Sequence, residues 1–536
     1  MNETSRLTAR ILRLVRDSGH LAPDHAVSVA GNILDARPLP DAFAVLAPAL
    51  IRHAALFDPF DRDKQRLAAD VCARAPHAPF ARWLDAARKL TDADPVPENL
   101  PAPDPASASP EDFLTYLKAQ PANELRLPVL LHLWQTGAAE VLIEAVRIMA
   151  ASPSGLLAGP VMAWGAYGCG ETSLAEMLLD EGVENFLAHT LRARLARDRG
   201  DDAETRAHLL ASLEAEPFQP ALIEQLARPD ATPAPCADVA VCLYTWNKPD
   251  LLARTLASLA ATALGGARVV VLNNGTTNCP PDELEARART AAPSLSPHWV
   301  HLPVNVGAPA ARNWLLSLPE VRAARHVAFL DDDVLLPRDW LGRFLATLKR
   351  FNAAAVGPKC VNQSPRTLQY AFRRFREVGE AKIRFTPNAP NLLDLGQFDA
   401  ARPCLTVMGC CHLLDRERLD RLRVPGFDVR FSPSQVDDIE HDLQIWKAGG
   451  SVAYDGAVEV VHLQDTGRAR TRAALGQAYA NHAKMERKFT LAELEAMDRA
   501  EHDADDAHFA RCLETVLPGL GDAASAFWRV VGRALG

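Results

Sequence analysis

From residue 238 the spacing of apolar positions along the chain changes. Short β-branched runs alternate with stretches in which apolar residues recur every third or fourth position. "DVAVCLYTW" (238–246), "ARVVVLNNG" (267–275), "HWVHLPVN" (298–305) and "HVAFLDDD" (326–333) read as strands. Between them "KPDLLARTLASLAATA", "PPDELEARARTAA" and "GAPAARNWLLSL" read as helices. This order predicts an α/β domain with a mostly parallel sheet covered by helices. Ligands of such sheets bind beyond the carboxyl ends of the strands. Each strand ends in residues able to hydrogen-bond: Thr245, Trp246 and Asn247; Asn273 and Asn274; Asn305; Asp331 to Asp333. These are expected to converge on one cleft.

Elsewhere the pattern is helical. Residues 1–94 are rich in Ala, Leu and Arg, and 95–112 hold too many prolines for a helix and read as a linker. Residues 113–235 return to helical spacing. Within them "NFLAHTLRARLARDRGDDAETRAHLLASLEAEPFQPALIEQLA" reads as two or three amphipathic helices divided by Gly-Asp-Asp and "EPFQP" turns. That is similar to a tetratricopeptide-type hairpin, although no clean repeat of about 34 residues precedes it. A breaker, "RPDATPAPC", leads into the α/β region at 236–465, and 466–536 form a C-terminal helical extension.

The length of 536 residues exceeds what one core supports. A hydrophobic share of 48% and a charged share of 23% are those of a folded chain. The net charge of −9 creates no global field that would attract nucleic acid or anionic membrane. No window approaches the roughly 18 apolar residues of a transmembrane helix, and Arg and Asp interrupt the N-terminus throughout. A cytoplasmic protein is expected, either free or peripheral at the inner face of the membrane. The ten cysteines show no CxxC pair or zinc spacing and read as reduced, buried thiols.

Six motifs occur in order in the α/β region. They are "YTWNKPDLLARTLASL", "VLNNGTTN", "NVGAPAARNWLL", "AFLDDDVLLPRDWL", "MGCCHLLDRERLDRL" with its following "GFDVRF", and "VDDIEHDLQIWKAGGSVAYDGAVEVVHL". Residues 236–465 thereby resemble a GT-A glycosyltransferase of family 2. The resemblance implies transfer of a sugar from a nucleotide-diphosphate-sugar to an acceptor hydroxyl with a divalent cation, Mn²⁺ or Mg²⁺. The acidic triplet matches the family's DxD motif. Asp331 then faces the donor ribose or sugar and takes part in the metal site, Asp333 ligates the metal, and Asp332 lies between them on the donor side. Strand alternation would put Asp331 and Asp333 on one face, and a cation would relieve the repulsion of three carboxylates. His462 alone reads as a half-buried histidine; the family match makes it a third metal ligand.

Asp438 precedes Gly449 at the family's spacing and is the expected general base, with Asp437 beside it. Attack opposite the leaving nucleotide implies inversion. A capped helix start also explains both acids. Asp437 replaces the family's usual Glu, and Glu440 its usual Asp. Thr245, Asn247, Asn273, Asn274, Arg312 and Gly409 complete the expected donor site. Asn273 stands where an aspartate often meets uracil, and Arg312 serves equally as a helix brace. Met408 to Cys411 match the segment beside the donor sugar, with the cysteines as wall packing. The basic stretch 366–385 is a solvated face or faces an anionic acceptor. A UDP-sugar is the favoured donor, with dTDP- or GDP-sugars open. The acceptor is a glycan, a lipid-linked sugar or a protein, and the N-terminal helices could hold a protein partner. Two other readings stand beside this: a helical scaffold carrying an inactive transferase-like domain, and a two-carboxylate glycoside hydrolase.

Overall fold

The computed structural model describes residues 3–36, 38–93, 101–119, 125–228, 238–377, 383–387, 393–463 and 472–535, without the side chains of 373–377, 383–387, 472–475 and 478. The second breaker, apart from Arg228, and residues 378–382 of the basic stretch 366–385 lie outside the described residues.

Among the described residues twelve strands follow one another: β1 (Val239–Thr245), β2 (Arg268–Asn274), β3 (His298–Leu302), β4 (His326–Leu330), β5 (Val334–Leu335), β6 (Ala355–Val361), β7 (Leu368–Tyr370), β8 (Arg373–Glu377), β9 (Ile383–Pro387), β10 (Ala401–Cys404), β11 (Cys411–Asp415) and β12 (Val452–His462). The main sheet runs β3-β2-β1-β4-β11-β6-β12-β10, with β5 on β12 and β7 on β6; β8 and β9 pair separately. β1 is parallel to β2 and β4, β2 to β3, and β6 to β12. β11 enters antiparallel between β4 and β6. The expected mostly parallel α/β sheet, flanked by N- and C-terminal helices, is the observed one.

The near-continuous apolar runs of β1, β2 and β4 follow from burial on both faces. Ala240, Cys242, Val270, Leu272, Val327 and Phe329 face one core, while Val241, Leu243, Val271, Ala328 and Leu330 face the other. The connecting helices Pro249–Ala260 and Pro281–Ala291 each start on a proline, whose missing N–H costs nothing there. All four parallel strands therefore end on the same edge of the sheet.

The N-terminal helices, from Glu3–Ser18 to Pro220–Leu226, share one apolar core with the last helices, Leu491–Val516 and Asp522–Leu535. Among them Phe186–Asp198, Asp202–Ala215 and Pro220–Leu226 are separated at the Gly-Asp-Asp and "EPFQP" turns. Buried charges join this body to the sheet. Asp505 Oδ1 accepts from Arg16 at 2.8 Å and from Arg402 of β10 at 3.0 Å; Arg16 also pairs with Glu224. Lys359 of β6, fully buried, pairs with Asp394 (2.7 Å), Glu459 (2.9 Å) and Asp399, and Asp399 in turn meets Arg197 at 2.7 Å. Ion groups withdrawn from water are tolerable only when mutually satisfied, so these clusters tie the helical body to the sheet in one placement. No helix among the described residues is long and apolar enough to cross a membrane.

Candidate active site

β4 ends at Leu330, and Asp331 to Asp333 form the turn into β5. Strand alternation therefore does not operate on them; a turn and a cross-strand pair bring Asp331 and Asp333 together with His462. Val334 lies opposite His462 in the β5–β12 ladder, and the Leu463 N–H donates to the Asp333 carbonyl at 2.8 Å. As a result Asp331, Asp333 and His462 each offer a ligand atom, all within 4.8 Å of one another.

Each member is oriented by a neighbour. Tyr244 donates its hydroxyl to Asp331 Oδ1 at 2.8 Å, and Thr245 donates to Asp332 Oδ2 at 2.7 Å. Lys248 donates to Asp332 Oδ1 at 3.1 Å and to Asp333 Oδ2 at 2.9 Å. Gln369 of β7 grips His462 twice: its amide N–H donates to the His462 carbonyl at 2.9 Å, and its Oε1 lies 2.8 Å from Nδ1. An amide oxygen only accepts, so Nδ1 carries the proton and Nε2 is turned to the carboxylates. Nε2 stands 3.1 Å from Asp333 Oδ1, which is buried and has no aligned hydrogen-bond partner.

Burial pushes Asp332 up to about 6 and also raises Asp331. Burial pushes Asp333 the same way, but His462 and Lys248 outweigh it and hold that carboxyl below its usual range. Burial lowers His462, yet its carboxylate neighbours hold it at about 9. Two carboxylate oxygens and a pre-aimed imidazole nitrogen suit a hard or borderline divalent cation. The buried Asp333 Oδ1, which faces His462 Nε2, is where such an ion fits.

The amides expected at the donor base are engaged in holding loops. Asn274 donates to Asn305 Oδ1 at 2.9 Å and accepts from the Val306 N–H at 3.0 Å. Asn273 accepts from the Thr276 N–H at 2.9 Å, and its amide nitrogen lies 3.2 Å from His301 Nδ1. Asn247, at φ 57°, accepts from the Thr277 N–H at 2.8 Å. These three side chains fasten the ends of β1, β2 and β3 together. Gly275 is required between them: at φ 72°, a Cβ there would stand 2.3 Å from the Val304 carbonyl carbon. Trp246 is half exposed (49%) on this rim.

Arg312 is 4% exposed. It pairs with Asp437, donates to the Gly409 carbonyl at 3.2 Å and lies 3.8 Å from Asp331. It is thus the brace joining the acidic turn to the second acidic pair. Burial, partly offset by Arg312, pushes Asp437 up to about 6. Asp438, 8% exposed, accepts the Gly409 N–H at 3.0 Å. A Cβ on Gly409 would come within 2.8 Å of the Asp438 Cβ, so only glycine allows this approach. Cys410 and Cys411 are buried in the wall, with Cys410 Sγ 3.3 Å from Cys360 Sγ. Glu440 faces away, to Lys488.

Asp437 opens helix Asp437–Lys447 after two residues in the left-handed region, Gln435 (φ 78°) and Val436 (φ 71°). That conformation is strained, most of all for a β-branched residue. The fully buried Asn481, on the C-terminal helix Arg472–Lys488, meets it: its amide donates to the carbonyls of Phe431 (3.1 Å), Ser434 (2.8 Å) and Gln435 (3.1 Å). Tyr244, Lys248, Gln369 and Asn481 are the site residues that sequence reasoning missed. Lys248 sits inside the first motif, but nothing in the spacing links it to acids more than 80 residues away.

Residues 240–423 match the model described as Glycosyl transferase family 2. The succinoglycan biosynthesis protein ExoM of Rhizobium meliloti (strain 1021) is 27% identical over 231 residues, covering 40% of this chain. The chain spans 63% of the length of that relative. Among solved structures, GalNAc-T7 with UDP, GalNAc and Mn²⁺ aligns at 14% identity and TM-score 0.37, over 55% of this chain and 54% of its own. The mannosyltransferase PcManGT from Pyrobaculum calidifontis in complex with GDP-Man and Mn²⁺ aligns at 22% identity and TM-score 0.36, over 62% and 92%. Residues 240–423 of the α/β region are thus similar to glycosyltransferase family 2, and the match reaches neither the helical regions on either side nor Asp437, Asp438 and β12.

Proposed function

We propose that the chain transfers a sugar from a nucleotide-diphosphate-sugar to an acceptor hydroxyl, with inversion, in the assembly of a glycan or glycoconjugate. The observation that carries this is the meeting of Asp331 and Asp333, within the residues that match the family 2 model, with His462 of β12 beyond them, at the carboxyl end of β4. A divalent cation held there supplies positive charge to the departing nucleoside diphosphate. Tyr244, Thr245, Lys248 and Gln369 hold the ligand groups in place. Arg312 carries fixed positive charge between Asp331 and the acidic pair. Asp438 takes the proton from the attacking hydroxyl, and the Gly409 N–H keeps its carboxylate in position. ExoM's part in succinoglycan biosynthesis supports a growing polysaccharide or lipid-linked glycan as acceptor. Such an acceptor fits a cytoplasmic protein working at the inner face of the membrane.

Calorimetry with UDP, dTDP and GDP, each with and without Mn²⁺, tests the reading; one nucleotide is expected to bind only with the cation. Absence of metal-dependent binding for all three would overturn it. A donor screen that reads nucleotide release then identifies the sugar. The Asn481 contacts add an expectation of their own. Asn481→Ala frees three carbonyls of the strained turn before Asp437 and Asp438. Its kcat is expected to fall about tenfold, because small misplacements of a reacting group are costly. Nucleotide affinity, which depends on the other acidic turn, stays unchanged. Steady-state kinetics beside a nucleotide titration checks the split.

A further inference from the structure

Lys248 places a protein cation directly on the acidic turn. Its ammonium lies 2.9 Å from Asp333 Oδ2 and 3.1 Å from Asp332 Oδ1. Asp333 therefore has one oxygen on a cation the protein supplies and the other, Oδ1, turned to His462 at 3.1 Å. The root of the side chain is fixed: Lys248 precedes Pro249 at the start of helix Pro249–Ala260, and its carbonyl accepts the Leu252 N–H at 3.0 Å. Beyond that root lies a flexible four-carbon stem. The side chain is 33% exposed, so it is not sealed beneath the carboxylates.

Two consequences follow from charge alone. In the empty enzyme the ammonium offsets the repulsion of adjacent carboxylates and holds the turn assembled. A divalent ion arriving alone must share Asp333 with a like charge a few ångströms away, which weakens its binding. A nucleoside diphosphate reverses that penalty, because its negative charge neutralises ion and ammonium together. Resting on the glycosyl-transfer reading above, we propose that Lys248 is the resident counter-cation of the site, and that it couples divalent-cation binding to arrival of the nucleoside diphosphate. Linkage makes the coupling reciprocal: the nucleotide tightens the ion by the same factor as the ion tightens the nucleotide.

The test is calorimetric titration of MnCl₂ into the full chain, first alone and then with saturating UDP, dTDP or GDP. Wild type, Lys248→Met, Lys248→Gln and Lys248→Arg are compared, with melting curves in EDTA to confirm folding. Wild type and Lys248→Arg are expected to bind Mn²⁺ weakly alone and much more tightly with the nucleotide. The two neutral variants are expected to bind Mn²⁺ alone on the order of tenfold more tightly than wild type. Their gain from the nucleotide shrinks correspondingly. Should either folded neutral variant bind Mn²⁺ alone no better than wild type, while nucleotide binding still requires Mn²⁺, the role of Lys248 is overturned and the transfer reading stands. Should no form show Mn²⁺-dependent nucleotide binding, the transfer reading falls, and the coupling with it.

Discussion

Asp333→Ala is expected to abolish Mn²⁺-dependent nucleotide binding and to lower turnover on the order of a thousand-fold, the scale of losing the main electrostatic support of a transition state. Asp333 is the member of the cluster on which everything converges. Its Oδ2 accepts from Lys248, its Oδ1 faces His462, and its backbone carbonyl holds the end of β12 through Leu463. The alanine variant keeps the backbone bond, so the β5–β12 pairing survives and the loss is one of charge and ligation. A second readout comes from His462. Its pKa, held at about 9, depends on Asp333 more than on Asp331. In the variant it falls, which NMR titration of the imidazole detects. The sign for stability follows: a histidine raised in the folded state stabilises fully below its unfolded value of about 6.5, and loses that contribution as pH rises through about 9. The melting-temperature gap between wild type and Asp333→Ala is therefore expected to be widest near pH 6 and to narrow as pH rises through about 9, the part due to the Lys248 pair remaining. A variant that still bound nucleotide through Mn²⁺ would place the ion elsewhere.

The strand–helix order from β1 to β4 was legible because each strand is buried on both faces and each helix on one, and both leave a period in the apolar residues. The convergence of Thr245, Asn273, Asn274 and Asp331 to Asp333 was legible for the same reason, since parallel strands end together. What the local pattern did not carry is pairing between distant segments. β11 slips antiparallel between β4 and β6 although its residues come some 80 positions after β4, and no local signal marks a strand's partner. Asp331 and Asp333 come together through a turn and a ladder to β12, not through alternation along a strand. The amides at 273, 274 and 247 look alike in a motif whether they face a ligand or fasten a loop. Their partners, Thr276, Asn305 and Thr277, are what reveal the loop-fastening role. The same limit hid Tyr244, Lys248, Gln369 and Asn481, each of which acts on a group far away in the chain. The C-terminal extension is shared between two cores, Met485, Phe489, Leu494 and Met497 packing with the sheet and Phe509 to Val531 with the N-terminal helices, and its Asn481 supports the turn before Asp438.

Asp438→Asn is expected to stop turnover while leaving nucleotide binding intact. The substitution is close to isosteric, and an asparagine side-chain oxygen still accepts the Gly409 N–H that Asp438 Oδ2 accepts now at 3.0 Å. The tight approach to Gly409 is kept as well, so the wall beside Arg312 does not move. What the amide cannot do is take a proton from an acceptor hydroxyl, and loss of a general base costs on the order of a hundred- to ten-thousand-fold in kcat. Metal-dependent nucleotide affinity is set at Asp331, Asp333 and His462 and should stay within about twofold of wild type. Asp437→Asn is the instructive contrast. Asp437 is the ion-pair partner of the buried Arg312, so its neutralisation leaves a guanidinium without its main counter-charge and lowers stability on the order of 3 kcal/mol. A melting curve thus separates the two neighbouring acids: Asp437→Asn melts early, Asp438→Asn melts like wild type but does not turn over. Near-wild-type rates in Asp438→Asn would remove it as the base. Loss of nucleotide binding in that variant would instead make it a support of the donor site, with the proton taken by another group.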